Sequence, residues 1–324
     1  MPTATTDTIE LELEHHRVEL TAYCYRMLGS GSEAEDAVQE TLTRAWRNFD
    51  RFEGRASVRT WLYRIASNVC FDLLKASQRR AQPMDLAGPS TADSPLGPRI
   101  EETRWVLPVP DGRVLAVRDP AELAVARESI RLAFIAALQH LPPRQRAVLI
   151  LREVLRWEAT EVAELLDTTV ASVNSALQRA RATLAAKDLS AGDKPRAPLG
   201  VADRELLARY VDAFERYDMD SLTALLHEDA TQSMPPYELW LSGREEILRW
   251  WTGPGQGCRG SRLVATAANG LPAFGQYRAS PDGGHEAWAL QLIEAQDGRI
   301  VELSFFLDTA HVFPLFGLPL RLEA

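Results

Sequence analysis

Thr160-Glu-Val-Ala-Glu-Leu-Leu-Asp-Thr-Thr-Val-Ala-Ser-Val-Asn-Ser-Ala-Leu-Gln-Arg-Ala-Arg-Ala-Thr-Leu-Ala-Ala186 holds two apolar helical periods broken by a short polar turn. Val162, Leu165 and Leu166 form the first. Asp167-Thr168-Thr169 interrupts them, and Val170, Val173, Leu177 and Leu184 resume the period as the expected inward face. Thr160 and Thr169 stand where side-chain caps open the two helices. The pattern predicts a helix-turn-helix. The outward face of its second helix presents Ser172, Asn174, Ser175, Gln178, Arg179 and Arg181. Asn and Gln can bond adenine, and Arg can bond guanine or phosphate. A helical hairpin with a solvated polar face satisfies the same pattern, so both readings stand on these residues alone.

Upstream, Leu132, Ile135, Ala136 and Leu138 lead into Leu141-Pro142-Pro143, a helical stop and restart followed by Val148, Leu151 and Leu155. Residues 10–80 read as a helical bundle. One stripe is Leu20, Tyr23, Cys24, Met27 and Leu28; a second is Val38, Thr41, Leu42, Ala45 and Phe49; a third is Leu62, Ile65, Ala66, Val69 and Leu73. Ser32 with Glu35 forms a capping-box pattern ahead of the second stripe. Phe52 to Asn68 interleaves Phe52, Trp61 and Tyr63 with Arg55, Arg59 and Arg64, and Arg79 and Arg80 follow. Cations hold a phosphate backbone while aromatic rings take unstacked bases. A core role for Trp61 and Tyr63 with solvated arginines fits equally well.

Helical periodicity disappears over 81–120, where prolines and glycines accumulate. This reads as a linker, with a short extended piece at Arg113–Val117. A second linker covers 188–200. Residues 201–310 begin with helices near 203–217, 221–226 and 244–251. Strand-like runs follow at 262–267, 273–279, 287–295 and 300–307, with turn signals at Ser280–Gly284 and Asp297-Gly298. Helices ahead of an antiparallel meander predict an α+β domain. The tail, 311–324, is apolar and proline-rich and is expected to dock on another domain.

The net charge of −9 is unevenly placed. Residues 201–324 hold 10 basic and 18 acidic groups, eight of the nine excess negative charges. Residues 1–43 hold 2 basic and 9 acidic groups, whereas 44–80 hold 9 basic and 3 acidic. One face of the N-terminal bundle thus suits a basic protein and another suits phosphate. Cys24, Cys70 and Cys258 have no metal-ligand spacing and read as reduced, buried thiols of a cytoplasmic protein. No apolar run is long enough for a membrane span, so no membrane partner is expected. No phosphate-cradling loop, metal cluster or nucleophile motif appears, which argues against an enzyme and implies no metal or cofactor.

The runs Ala34–Trp46, Phe52–Asn68 and Asp72–Lys75 resemble region 2 of the extracytoplasmic-function sigma factors of the sigma-70 family. Leu141–Leu149 and the helix-turn-helix resemble their region 4. The order, spacing and intervening proline-rich segment match over about residues 10–187. The resemblance implies a non-catalytic transcription initiation factor with two all-α domains, region 2 at 10–80 and region 4 at 121–187. It implies that Asp36, Gln39 and Glu40 dock on the clamp helices of the polymerase β′ subunit. Phe52 and Asn68 match places near the pocket for a base flipped from the −10 element. The second helix of region 4 would read the −35 element, and region 4 would contact the β flap. One departure is that the family often carries Lys and Arg where this chain has Asn174 and Ala176. Fewer cations weaken phosphate affinity.

Leu206–Asp218, Leu222–Ala230 and Ser242–Leu248 resemble a SnoaL-like domain, a cone-shaped α+β barrel, and Met234–Trp240 resembles the sigma factors that carry such an extension. The resemblance implies a cavity open to an unidentified small ligand, with Tyr237, Trp240, Trp250, Trp251, Phe274, Trp288 and Phe306 as candidate lining residues. Most of these also fit an ordinary core. His227, His285, Asp308 and His311 are candidate bases by residue type only. The acidic extension is expected to modulate the basic domains ahead of it.

Overall fold

The structure is a computed structural model that describes residues 6–52, 54, 56–75, 79–116, 119–186 and 201–323. In chain order the helices are α1 (Thr6–His15), α2 (Arg17–Leu28), α3 (Gly31–Arg47), α4 (Val58–Leu74), α5 (Pro83–Leu86), α6 (Asp111–Val114), α7 (Pro120–Glu128), α8 (Leu132–Gln139), α9 (Pro143–Leu149), α10 (Ala159–Leu165), α11 (Val170–Ala186), α12 (Val201–Arg216), α13 (Met219–Leu225), α14 (Arg244–Thr252) and α15 (Thr309–Leu315). The strands are β1 (Leu226–Ser233), β2 (Trp240–Ser242), β3 (Arg262–Ala268), β4 (Leu271–Ala279), β5 (His285–Gln296), β6 (Arg299–Phe306) and β7 (Arg321–Leu322). The chain forms two compact units: Met1–Arg80 with Asp111–Pro195, and Ala81–Pro110 with Arg196–Ala324.

The first unit is all helical. Leu20, Tyr23, Cys24 and Met27 of α2 are fully buried, as are Val38 and Ala45 of α3 and Leu62 and Ala66 of α4. These stripes fall where the 3.6-residue period puts them. Leu73 departs from its stripe and is exposed, and Phe49 lies in a 3-10 turn. Ser30, not Ser32, caps α3 by accepting from the Glu33 amide. Gly29 ends α2 at φ +75°, where an added Cβ would stand 3.1 Å from the Gln139 side chain. That position needs glycine both for the left-handed turn and for the close approach.

Arg146 of α9 is a buried cation. It donates to Gln139 Oε1 (2.7 Å), to the Leu141 carbonyl (3.1 Å) and to the Met27 carbonyl at the end of α2. Burial pulls its pKa down to about 10, so it stays charged at neutral pH. Arg26 of α2 reaches the Ser129 carbonyl (3.0 Å) and hydroxyl (2.6 Å). These bonds fasten the N-terminal helices to the helices beyond Asp111. The extended piece expected at Arg113–Val117 begins instead within the short helix α6, which runs to Val114, and Val117 lies outside the described residues.

In the second unit the sheet runs β2-β1-β6-β5-β4-β3, with β7 added along β5. Neighbours from β6 to β3 pair antiparallel, β6 to β5 and β5 to β4 through the predicted turns and β4 to β3 through Asn269-Gly270, which was not predicted, whereas β1 pairs parallel with β6. Helices α12–α14 bury Tyr210, Leu222 and Ile247 in one core with Ala289, Ile293 and Leu303 of the sheet.

Two segments that read as connectors are part of this unit. Residues 81–110 lie along it, largely without regular structure apart from α5 and a 3-10 turn at Glu102–Arg104. Ser90 donates to the Trp240 carbonyl, Ile100 to the Pro236 carbonyl, and Val109 and Asn269 exchange two hydrogen bonds. Ala92 sits in the core cluster. Proline-rich backbone reaches these partners without helical period, which is why the sequence pattern looks like a spacer. The tail docks on its own sheet rather than on another domain. Ala287 donates to the Leu320 carbonyl and Tyr277 Oη to the Pro319 carbonyl. Gly275 makes room for this, since a Cβ there would meet Leu318 at 2.8 Å.

Candidate nucleic-acid interface

The helix-turn-helix is α10 and α11. A capping box from Glu158 and Glu161 opens α10, so Thr160 is inside the first turn and does not cap. Thr169 does cap α11: its hydroxyl accepts from the Ser172 amide at 3.2 Å. Val173, Leu177, Ala180 and Leu184 are buried, which turns the opposite face of α11 outward. Val170, expected inward, is 38% exposed because it lies at the helix start, beyond the packed stripe. Ser172, Asn174, Ser175, Gln178, Arg179 and Arg181 are all exposed. Arg181 is ion-paired with Glu153. Arg179 has neither an ion pair nor a side-chain hydrogen bond among the described residues. The face is therefore rich in donors and carries a cation, Arg179, that is not neutralised among the described residues.

The basic and aromatic face of α4 is arranged differently. Phe52 and Trp61 are half-buried and tilted together, with ring centroids 4.9 Å apart. Tyr63 is fully buried, bracketed by Tyr23 and Trp157, and burial raises its phenol pKa. Arg59 pairs with Glu19 at 2.8 Å and lies 5.0 Å from the Trp157 ring centroid. Arg64 donates to the Glu164 carbonyl of α10 at 2.8 Å. Arg80, expected on the DNA face, is buried at 6% exposure in an ion pair with Glu33 at 2.5 Å. Arg79 and Asn68 are exposed, with Arg79 bonded to His140. Arg55 lies outside the described residues. Trp157 and Glu164 were not singled out in the sequence. A lone aromatic and a helix-end carbonyl carry no pattern that marks them as partners of α4.

Asp36, Gln39 and Glu40 share the exposed face of α3. Glu40 pairs with Arg44 at 2.6 Å, and Gln39 Oε1 accepts weakly from Arg17 at 3.4 Å. The face is acidic and open, with side chains one helical turn apart.

Family models for sigma-70 region 2, sigma-70 region 4 and a SnoaL-like domain match residues 13–80, 131–184 and 207–303. The ECF RNA polymerase sigma factor SigG of Mycobacterium tuberculosis is 45% identical over 310 residues, covering 94% of this chain and 82% of SigG. The chain belongs to the extracytoplasmic-function sigma factors. SigJ of the same organism is 28% identical over 324 residues, covering 96% of this chain and 94% of SigJ. The crystal structure of SigJ matches with a TM-score of 0.60 at 24% identity, covering 96% of this chain and 99% of that one, and so shares its fold. In this sigma factor α2–α4 thus lie in region 2, α10 and α11 in region 4, and the sheet in the SnoaL-like domain. No helix among the described residues is long and apolar enough to cross a membrane.

The SnoaL-like domain of the sigma factor contains a cavity of about 410 Å³. Trp250, Trp251 and Trp288 line it, as expected. Tyr237, Trp240, Phe274 and Phe306 do not. Phe274 and Phe306 are buried in the core, and Trp240 turns its indole to the Ala87 carbonyl at 2.9 Å. None of His227, His285, Asp308 or His311 lines it either. Asp308 pairs with Arg99 at 2.5 Å and lies 3.1 Å from His311, which also faces Glu102 at 3.5 Å. Burial works to raise the Asp308 pKa, but the bonds from Arg99 and His311 prevail and hold it low. The bond to Asp308 and the charge of Glu102 lift the pKa of His311. Cys258 is half-buried on the cavity wall rather than fully buried, while Cys24 and Cys70 are buried and free.

Proposed function

We propose that this chain binds core RNA polymerase in the cytoplasm through the acidic face of Asp36, Gln39 and Glu40 on the β′ clamp helices, with region 4 on the β flap. In this reading α11 reads the −35 element with Asn174, Gln178 and Arg179, assisted by Ser172, Ser175 and Arg181. The α4 segment opens and holds the −10 element, with Phe52, Trp61 and Asn68 at the captured base and Arg55, Arg59, Arg64 and Arg79 toward phosphate. Polymerase makes the phosphodiester bonds; this chain supplies no catalytic group. The observation that carries the reading is the exposed donor face of α11 around the unpaired Arg179, backed by a buried stripe that fixes its direction.

The stacking of Arg59 on the Trp157 ring and the bond of Arg64 to the Glu164 carbonyl favour a second element: a resting state in which α4 is held by region 4 and must be released before it meets DNA. The SnoaL-like domain modulates this release through residues 81–110, which join regions 2 and 4 and pack within its own unit. Run-off transcription with core polymerase on a promoter library tests the reading. The full chain should initiate on a subset of templates, and Arg179→Ala should lower output severalfold on those same templates. Failure of the full chain to initiate on any template, with duplex binding intact, would make it a stand-alone DNA-binding regulator instead.

A further inference from the structure

The cavity of the SnoaL-like domain has apolar, flat walls and donor groups at its edge. Phe214, Met219 and Leu222 come from α12 and α13, Trp250 and Trp251 from α14, and Phe305 from β6. Aromatic walls of this kind bind flat apolar bodies by face and edge contact, and 410 Å³ lies within the ordinary range of small-molecule sites.

Five polar side chains break the apolar lining: Tyr217 donates to the Trp251 carbonyl and Ser94 Oγ accepts from the Thr91 amide, and the bonding of Gln276, Gln232 and Arg278 can be followed atom by atom. Gln276 is used up within the protein: its Nε2 donates to Ser261 Oγ at 3.1 Å and its Oε1 accepts from Gln291 at 2.9 Å. Gln232 is only 2% exposed, and its Oε1 accepts from Trp251 Nε1 at 2.8 Å. An indole N–H can only donate, so this bond fixes the amide orientation and leaves Gln232 Nε2 as the surplus group. Among the described residues that NH2 has only the Met234 sulfur, at 3.9 Å, as an acceptor. Arg278 has no carboxylate partner among the described residues. Its guanidinium lies over the Trp288 ring, 3.2 Å from the centroid, and Nη2 reaches Cys258 Sγ at 3.2 Å. Its Nε is buried without any acceptor. A buried donor without an acceptor, or with only a distant thioether, is under-satisfied at a cost, and one of each borders this apolar space.

We propose that this cavity binds a flat, apolar organic anion, with its carboxylate held by Arg278 and the Gln232 amide and its ring body between the tryptophans. The lining also includes Ser94, Pro95 and Leu96, so the bound molecule touches the segment that joins the two all-α regions. Occupancy restrains that segment. The proposal does not rest on the transcription reading, because it is tested by binding to the chain alone.

The test uses the full chain with 2-naphthoate and 2-naphthylmethanol, which share a ring body and differ in charge. Quenching of the cavity tryptophans and calorimetry should give one saturable site. Naphthoate should bind at least about tenfold tighter, as expected for charge-assisted hydrogen bonds. Arg278→Met should remove that preference while keeping the alcohol's affinity. Met219→Trp, at a half-buried wall position, should abolish binding of both probes with the melting temperature preserved. Bound naphthoate should slow backbone hydrogen exchange in residues 90–100. No saturable binding of either probe would overturn the proposal. So would equal affinities for the two probes, or naphthoate binding that survives Arg278→Met. If Met219→Trp does not fold, the Arg278→Met comparison decides alone.

Discussion

Helices α4 and α11 carry the same kinds of side chain, and the fold treats them in opposite ways. On α11, Gln178 and Arg179 stand free on an exposed face. On and beside α4, Arg59, Arg64 and Arg80 are each spent on a partner within the first unit. Burial of the neighbouring ring explains the contrast. Trp157 covers Tyr63 and draws the Arg59 guanidinium over itself, whereas the outer face of α11 is exposed among the described residues. Residue type therefore states what a surface can bind, and its partners state whether that surface is free to do so.

The strongest test of the contrast is Arg146→Met. It leaves the Met27 and Leu141 carbonyls and Gln139 Oε1 without their donor, so about 3 kcal/mol of stability should be lost in urea unfolding. Below the unfolding transition, hydrogen exchange in α4 should rise more than in α11. Equal increases in both helices would erase the distinction. Next in size is Arg179→Ala. It should weaken duplex binding by about 1–2 kcal/mol and lower the salt-dependence slope by about one phosphate contact. Arg64→Gln should cost less than about 1 kcal/mol of stability, because the arginine is exposed and bonds one carbonyl. It should nevertheless make α4 amides exchange faster, and unchanged exchange would mean that this bond does not restrain the helix.

The smallest expected effect concerns pH. The bond of Asp308 to Arg99, with the acid's pKa lowered, is complete above the ordinary aspartate range and lost as pH falls through the lowered value. The raised pKa of His311 acts in the other direction: its contribution is full below the ordinary histidine range and lost as pH rises through the raised value. Residues 99–102 should therefore be best protected in mildly acidic solution and looser on either side. Amide exchange of Ile100 and Glu102 against pH measures this, and a flat profile would remove the cluster as a restraint.

Much of this was legible in the sequence wherever a periodic apolar stripe set direction. The stripes of α2 and α3 and the inward face of α11 were readable because burial every three or four residues leaves a pattern. Strand β1 was not readable. Leu226–Ser233 is largely polar and pairs parallel with a strand some seventy residues away. The cavity was readable only in part. Trp250 and Trp288 announced themselves by size, but the donors that give it polarity, Gln232 and Arg278, are ordinary polar residues until their partners are known. The engagement of α4 was equally silent, since Arg64 meets a backbone carbonyl and Trp157 belongs to no repeat.

Residues 81–110 complete the second unit, and this has a consequence for how the gene can be cut and joined. The C-terminal domain is not a cassette appended to a finished sigma factor. Its backbone partners include a piece encoded between regions 2 and 4, so during synthesis that piece waits uncovered until the last strands leave the ribosome. A chain stopped near residue 190 would leave the Val109 amide without Asn269 and Ser90 without the Trp240 carbonyl. Moving the domain to another sigma factor would need two grafts, one at the end and one in the middle.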